Sequence, residues 1–130
     1  MCPVPRGIAP YFLVENVVRA AEHYRDKLGF VIGPYFLDPP VFVILERDGN
    51  SIQLSRMEDG RGGPNRQWKA EAYDAYIWVD DVEALYHELH ARGADLSGPP
   101  ELKSYGMKEI DVRDLDGYVI RWGQDIPNSG

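Results

Sequence analysis

RDLDGYVIRW, at residues 113–122, combines a tight-turn signal with an alternating strand. Its Asp-Gly pair is typical of hairpin turns, and the residues that follow alternate between apolar and polar side chains. RDGNSIQL, at residues 47–54, has the same turn pair and the same alternation, with Gln53 at the place that corresponds to Arg121. The sequence therefore predicts a β-hairpin running into a final strand in each half of the chain.

The two halves also carry the same order of predicted elements. In residues 8–57 a strand is followed by a helix that Asn16 caps and then by three strands, and in residues 73–125 the order begins again with Asp81 as the cap. Residues 58–72, rich in Gly and charged residues, have the composition of a linker. Repetition of one supersecondary unit explains this pattern. We therefore predict an α+β fold, a single domain of two tandem β-α-β-β-β modules whose sheets form a curved half-barrel groove.

Strand alternation assigns one set of side chains to the groove and the other to the helix-covered face. The groove set is aromatic and polar, as is usual in a small-molecule site, and consists of Tyr11, Gln53, Ser55, Asp74, Tyr76, Trp78 and Arg121. Two loops rich in Gly and Pro carry Trp68 and Tyr105, and we predict that these aromatic residues close over the groove. In the alternative interpretation, Tyr76 and Trp78 are ordinary core or dimer-interface aromatics.

We predict structural roles for several other polar residues. Glu109, Asp111 and Arg113 alternate with apolar residues, which predicts a solvated or cross-strand charge ladder. All three histidines fall on predicted helices, where we expect solvated side chains rather than ligands: His23, His87 and His90.

Composition limits the partners. The net charge is −7, and residues 58–130 carry all of it, with eight Lys and Arg against fifteen Asp and Glu. We expect no nucleic-acid or membrane partner, and an acidic groove would favour a polar or cationic ligand; alternatively, the acidic excess only keeps the surface soluble. The longest apolar run, residues 41–45, is too short for a membrane span, and residues 1–7 lack the apolar region of a signal peptide. With Cys2 as the only cysteine, we expect a cytoplasmic protein.

Several motifs of the chain are shared with one superfamily. They are VENV at residues 14–17 with Tyr24, LGF at 28–30, VDDVEAL at 79–85, and YGM with DLDG at 105–107 and 114–117. Together they resemble the vicinal oxygen chelate superfamily, which includes glyoxalase I, extradiol dioxygenases, fosfomycin-resistance enzymes and bleomycin-resistance proteins. The resemblance extends over residues 8–125 and implies the glyoxalase/bleomycin-resistance fold and a homodimer.

The resemblance also indicates where a metal would be held. Enzymes of this superfamily bind a divalent ion through His, Glu or Gln on the first and last strands of each module, and the matching positions here are Ala9, Gln53, Asp74 and Arg121. Alanine cannot ligate a metal and the arginine cation repels one, so only two ligands remain. We therefore expect no metal and no other cofactor, and we predict an Asp74–Arg121 ion pair in the metal position.

These observations favour a metal-free, non-catalytic binding protein. It would resemble the bleomycin-resistance branch and sequester a polar or cationic aromatic small molecule, with antibiotic resistance as the associated role. The alternative is an enzyme, either a metal-dependent lyase, glyoxalase-like isomerase or dioxygenase with a displaced site, or a metal-free enzyme with Asp74 as base. Arg121 disfavours the second form, because a neighbouring cation stabilises an ionised carboxylate and weakens it as a base. A regulatory or scaffold module is a third hypothesis, for which the sequence shows no clear partner surface.

Overall fold

The computed structural model describes residues 3–59 and 63–127, so Cys2 and the linker residues 60–62 lie outside the described ranges. The first half contains β1 Tyr11–Val14, α1 Val17–Leu28, β2 Val31–Ile32, β3 Phe42–Arg47 and β4 Asn50–Arg56. A 3-10 turn, Asn65–Gln67, follows in the linker. The second half contains β5 Ala75–Trp78, α2 Val82–Ala91, β6 Asp95–Leu96, β7 Glu101–Leu102, β8 Met107–Arg113 and β9 Val119–Asp125.

The strands form two open sheets, one in each half of the chain. The first sheet has the order β1-β4-β3-β2, and the second has the order β5-β9-β8-β6 with β7 also paired to β8. β1 is parallel to β4, and β5 is parallel to β9. The first and last strands of each half are therefore neighbours, and the described residues form the predicted α+β fold of two helices and two sheets.

Both helices begin at the predicted caps. The side chain of Asn16 accepts a hydrogen bond from the backbone N–H of Arg19 at 3.0 Å, and Asp81 accepts one from Ala84 at 3.0 Å. These caps satisfy N–H groups that have no partner within a helix. Helix α1 ends at Gly29, whose φ of 76° is a left-handed conformation that glycine adopts without a steric penalty. Each helix then buries its apolar side against the sheet of its own half.

The two Asp-Gly turns differ in length. In the first, Arg47 lies opposite Asn50, so the hairpin has a two-residue loop with positive φ at both positions. In the second, Arg113 lies opposite Val119, which leaves a five-residue loop. Asp114 organises that loop, because its Oδ1 accepts hydrogen bonds from two backbone N–H groups within it.

One hydrophobic core joins the two halves. Phe12 stacks on Tyr118 with 4.3 Å between the ring centroids and 5° between the ring planes. The hydroxyl of Tyr118 donates to the carbonyl of Leu13 at 2.7 Å, and the hydroxyl of Tyr24 donates to the buried Asp114 at 2.6 Å. This core occupies the helix-covered side of both sheets, so the groove must be formed by the opposite faces. No helix among the described residues has the length and apolar character needed to cross a bilayer.

Some predicted boundaries are wrong. The sequence of residues 30–37 predicts one strand, but only β2 forms there, because Pro34 has no backbone N–H with which to continue the pairing. Strand alternation also predicts that Ile8 lies on the core side of the first strand, but Ile8 precedes β1 and is 96% exposed. The linker's 3-10 turn and the short β7 are not predicted, because periodicity cannot identify such short elements.

Candidate functional site

The groove face of the first sheet combines aromatic and uncharged polar residues. Tyr11 lies opposite Gln53, and Leu13 lies opposite Ser55, so their side chains share the face that α1 does not cover. A surface cavity of about 560 Å³ opens on this side, lined by Tyr11, Phe36, Val41, Phe42, Ser55, Arg56 and Glu58. The volume is in the range of small-molecule sites.

The groove face of the second sheet has a buried carboxylate at its centre. Glu109 on β8 is only 4% exposed. It accepts a hydrogen bond from the Tyr76 hydroxyl at 2.7 Å and another from the Tyr105 hydroxyl at 2.5 Å. Tyr76 reaches it across β9 at Gly123, where a Cβ atom would lie 1.8 Å from the Tyr76 oxygen. Glycine is therefore required at that position for the two side chains to meet.

A second charged group lies beside it on the same face. Arg121 on β9 donates to Asp111 on β8 through Nε at 2.7 Å and through Nη2 at 3.0 Å. Arg66, from the linker, also donates to Asp111, at 2.9 Å. Arg121 lies over the ring of Tyr73 with 4.7 Å from Cζ to the ring centroid, and its Nη2 also contacts the carbonyl of Glu71. Among the described residues its Nη1 meets no acceptor, so it remains available to a ligand.

The predicted Asp74–Arg121 ion pair is wrong. Asp74 precedes β5, and its two carboxylate oxygens accept hydrogen bonds from the backbone N–H groups of Asn65 at 2.8 Å and Val119 at 2.9 Å. Asp111 is directly opposite Arg121 in the β8–β9 pair and therefore takes the guanidinium instead. Asp74 thus holds the linker against the beginning of β9.

Aromatic rings border these charged groups. Tyr73 and Tyr76 are 5.6 Å apart in an edge arrangement, and Tyr76 and Trp78 are 4.8 Å apart. Trp78 is 72% exposed, which is unusual for so large an apolar side chain and disagrees with a core role. Trp68 is 85% exposed at the end of the linker's 3-10 turn, and within the described part of the chain no ring contact joins it to this cluster. Tyr105, by contrast, reaches the groove through its hydroxyl.

The hydrogen bonds fix the protonation states of the donors. Burial and the hydrogen bond to Glu109 raise the pKa of Tyr76, and the hydrogen bond to Glu109 and burial raise the pKa of Tyr105. The hydrogen bonds to Asp111 raise the pKa of Arg121 still further above neutrality. Both tyrosines are therefore neutral donors at pH 7, and Arg121 is a permanent cation. Neither tyrosine can act as an ionised base there.

The residues at the superfamily's metal positions do not fit a metal. Ala9 has no donor atom, Arg121 is cationic, and both oxygens of Asp74 already accept backbone hydrogen bonds. Within residues 3–59 and 63–127 no group of three or more His, Cys, Asp or Glu side chains is placed to hold an ion. The fourth position, Gln53, would be a lone neutral ligand. The four positions together therefore do not provide the ligand set of a metal site.

The histidines lie on the helices as predicted, but His23 is not solvated. It is half-buried, its Nε2 has no hydrogen-bond partner among the described residues, and burial lowers its pKa. It packs on the helix-covered side and does not contribute to the groove.

The predicted solvated or cross-strand charge ladder of residues 109–113 holds for Asp111 and Arg113 and is wrong for Glu109, which is buried. Arg113 does form an exposed cross-strand pair with Asp95, at 3.4 Å. Asp111 forms its cross-strand pair with Arg121 on the groove face, whereas Glu109 accepts hydrogen bonds from two tyrosine hydroxyls there. Strand alternation could have identified them, because Ile110 and Val112 belong to the core and their neighbours must face the side of Arg121.

Solved structures of other proteins share the fold of this chain. The bleomycin resistance determinant encoded on the transposon Tn5 is 20% identical with a TM-score of 0.70, over 91% of this chain and 96% of that one. TnmS3, an antibiotic binding protein from Streptomyces sp. CB03234, is 19% identical with a TM-score of 0.71, over 96% and 99% of the two chains. A member of the glyoxalase/bleomycin resistance protein/dioxygenase superfamily from Sphaerobacter thermophilus is 21% identical with a TM-score of 0.70, over 93% and 98%.

The chain has the glyoxalase/bleomycin-resistance fold. Comparison of the sequence with protein-family models and with curated proteins finds no match. The likeness is therefore one of three-dimensional structure, and the fold hosts both enzymes and binding proteins, so function must be argued from the site.

Proposed function

We propose that the protein is a metal-free binding protein that sequesters a polar or cationic aromatic small molecule in its groove. The observation that carries this proposal is the buried carboxylate of Glu109, which accepts hydrogen bonds from Tyr76 and Tyr105, with the ring of Trp78 next to that of Tyr76. The two neutral tyrosine hydroxyls donate hydrogen bonds to that carboxylate but do not neutralise its charge. A cationic group of a flat ligand would balance the negative charge of Glu109, while the aromatic rings stack on the ligand's aromatic body.

Arg121 supplies the complementary contact. Asp111 fixes the plane of its guanidinium, and its free Nη1 can donate to a carbonyl or carboxylate oxygen of the ligand. The groove of the second sheet thus presents an acceptor and a donor on one face, which suits a polar ligand with groups of both kinds. We include Trp68 as a residue that contacts the bound ligand from the linker, and Asp74 as the residue that holds the linker in place.

The first sheet is proposed to supply the uncharged part of the site, through the ring of Tyr11 and the polar side chains of Gln53 and Ser55. Two similar structures support a binding role, since one is named a bleomycin resistance determinant and the other an antibiotic binding protein. We include in the proposal that the protein confers antibiotic resistance by binding the drug and that it is located in the cytoplasm. Exposed aromatics on both groove faces, including Tyr11 and Trp78, further support a homodimer in which the face of one chain covers that of its partner.

Tryptophan fluorescence tests the proposal. Metal-free bleomycin, a bulky cationic glycopeptide, and proflavine, a planar aromatic cation, are titrated into the protein. We expect saturable quenching that Trp78→Phe reduces strongly and that Trp68→Phe reduces to a smaller extent. Arg121→Gln is expected to weaken binding of bleomycin about tenfold, the effect of one charge-assisted hydrogen bond. If neither probe binds, or if Trp78→Phe leaves the quenching intact, the proposal is wrong.

A further inference from the structure

The cavity on the first sheet has walls that a bound molecule can reach. Its volume is about 560 Å³, within the range of small-molecule sites. Three aromatic rings border it, and two of them are more than half exposed, Tyr11 at 57% and Phe36 at 59%. Phe42, the third, lies beside Tyr11 with 6.4 Å between the ring centroids and 28° between the ring planes. Exposed apolar side chains around one concavity are typical of an interaction site, and these rings suit an aromatic ligand.

Backbone hydrogen bonds hold these walls in place. The N–H of Phe36 donates to the carbonyl of Phe42 at 2.9 Å, and the N–H of Val41 donates to the carbonyl of Phe36 at 3.0 Å. The N–H of Arg56, at the end of β4, donates to the carbonyl of Val41 at 2.9 Å. The segment before β3 is therefore tied to the sheet, and the cavity is formed before a ligand binds.

The rim of the cavity has two side chains of opposite charge. Arg56 ends β4 and Glu58 follows it, and both are exposed. Within residues 3–59 and 63–127, neither side chain forms an ion pair or a hydrogen bond. On the second sheet, by contrast, Asp111 pairs with both Arg66 and Arg121. The cavity therefore presents one cation and one anion that are open to a ligand.

These two charges decide which class of ligand fits. A monocation is attracted by Glu58 and repelled by Arg56, and a monoanion meets the reverse. A zwitterion gains from both, because its ammonium can lie against the carboxylate and its carboxylate against the guanidinium. Exposed ion pairs contribute little binding energy, so the aromatic walls supply most of the affinity and the two charges supply the selectivity.

We propose that this cavity binds the ring of an aromatic zwitterion, a ligand that carries an ammonium and a carboxylate beside its ring as an aromatic amino acid does. The ring packs against Tyr11, Phe36 and Phe42, the carboxylate pairs with Arg56 and the ammonium pairs with Glu58. This inference rests on the proposed function, because Tyr11 belongs to the same groove. It names the chemical group that the first sheet recognises.

Three fluorinated ligands with the same ring separate the charge classes at neutral pH. They are para-fluorophenylalanine, a zwitterion, para-fluorophenethylamine, a cation, and para-fluorophenylpropionate, an anion. Fluorine NMR of each ligand during titration with the protein gives its dissociation constant. We expect the zwitterion to bind in the millimolar range, about threefold more tightly than the cation or the anion.

Two variants that each remove one charge should change this preference in opposite directions. Glu58→Gln is expected to bring the affinity of the anion to that of the zwitterion, and Arg56→Gln is expected to do so for the cation. Phe36→Ala is expected to weaken all three ligands about threefold. The matched control Arg19→Gln, an exposed change on α1, is expected to leave all three dissociation constants unchanged.

The inference is overturned if no ligand binds or if all three bind equally to the natural protein. It is also overturned if Phe36→Ala leaves binding intact, or if Arg19→Gln alters the preference as Arg56→Gln does. Quenching of Trp78 by bleomycin and proflavine is a separate readout, because Trp78 does not line this cavity. A failure here with that quenching intact therefore refutes the inference and leaves the proposed function standing.

Discussion

Asp114, in the loop between β8 and β9, gives a stability prediction with a defined pH range. Burial raises the pKa of this carboxyl from 3.8 to about 6, against the opposing effect of the hydrogen bonds from Tyr24, Tyr118 and Asp116. A group with a raised pKa in the folded state favours folding when it is protonated. Its stabilising contribution is therefore complete below its unfolded pKa and is lost as the pH rises through about 6. A rise of this pKa from 3.8 to about 6 corresponds to about 3 kcal/mol.

Asp114→Asn removes that titration and keeps the loop. The amide oxygen can still accept the two backbone N–H groups, and the amide nitrogen can donate to the hydroxyl of Tyr24. Urea unfolding of both proteins from about pH 4 to about pH 7 gives the difference in their free energies of unfolding. We expect the natural protein to lose about 3 kcal/mol relative to Asp114→Asn over this range.

A Tyr24→Phe variant checks the cause. The hydroxyl stabilises the ionised carboxylate, so its removal raises the pKa of Asp114 further and moves the loss of stability to higher pH. A free-energy difference between the natural protein and Asp114→Asn that does not change with pH would refute the reasoning. It would mean that the hydrogen bonds outweigh burial and that Asp114 is ionised throughout.

Two further predictions concern contacts that the fold depends on. Gly123→Ala places a Cβ atom 1.8 Å from the Tyr76 hydroxyl and breaks the hydrogen bond from Tyr76 to Glu109. We expect urea unfolding to show that the free energy of unfolding falls by about 2 kcal/mol. In a Tyr76→Ala background, Gly123→Ala should lower the free energy of unfolding by less than about 0.5 kcal/mol. If Gly123→Ala costs the same in both backgrounds, the contact between Gly123 and Tyr76 is contradicted. Arg47→Met should cost about 2 kcal/mol because it breaks a half-buried pair with Glu88 and a bond to a helix carbonyl. The control Arg92→Met breaks the more exposed Arg92–Glu88 pair and should cost about 0.5 kcal/mol by the same measurement. A larger cost for Arg92→Met than for Arg47→Met would contradict this prediction.

The sequence predicts most of the fold because its signals are local. Asn16 and Asp81 cap the helices as expected, and alternation correctly separates Tyr76 on the groove face from Ile77 in the core. Such signals depend only on neighbouring residues and on the period of the element. The ends of the strands depend on tertiary contacts, and Ile8 shows the error that follows.

The site depends on register, which alternation alone does not set. A two-residue turn at the second Asp-Gly pair would place Asp111 opposite Trp122, whereas the five-residue loop places it opposite Arg121. This shift of one residue creates the ion pair of the groove and leaves Asp74 for the backbone of Val119. The burial of Glu109 likewise requires Tyr76 to cross a neighbouring strand, and no local pattern reveals that.

Metal analysis of the purified, untagged protein is the decisive measurement, followed by calorimetric titration of the metal-stripped protein with Mn, Fe, Ni and Zn ions. A binding protein whose metal positions hold Ala9, Gln53, Asp74 and Arg121 should contain no stoichiometric metal and show no saturable heat at micromolar concentration. Tight binding of one ion per chain, weakened by Gln53→Ala or Asp74→Ala, would contradict the proposed function and favour a metal-dependent enzyme.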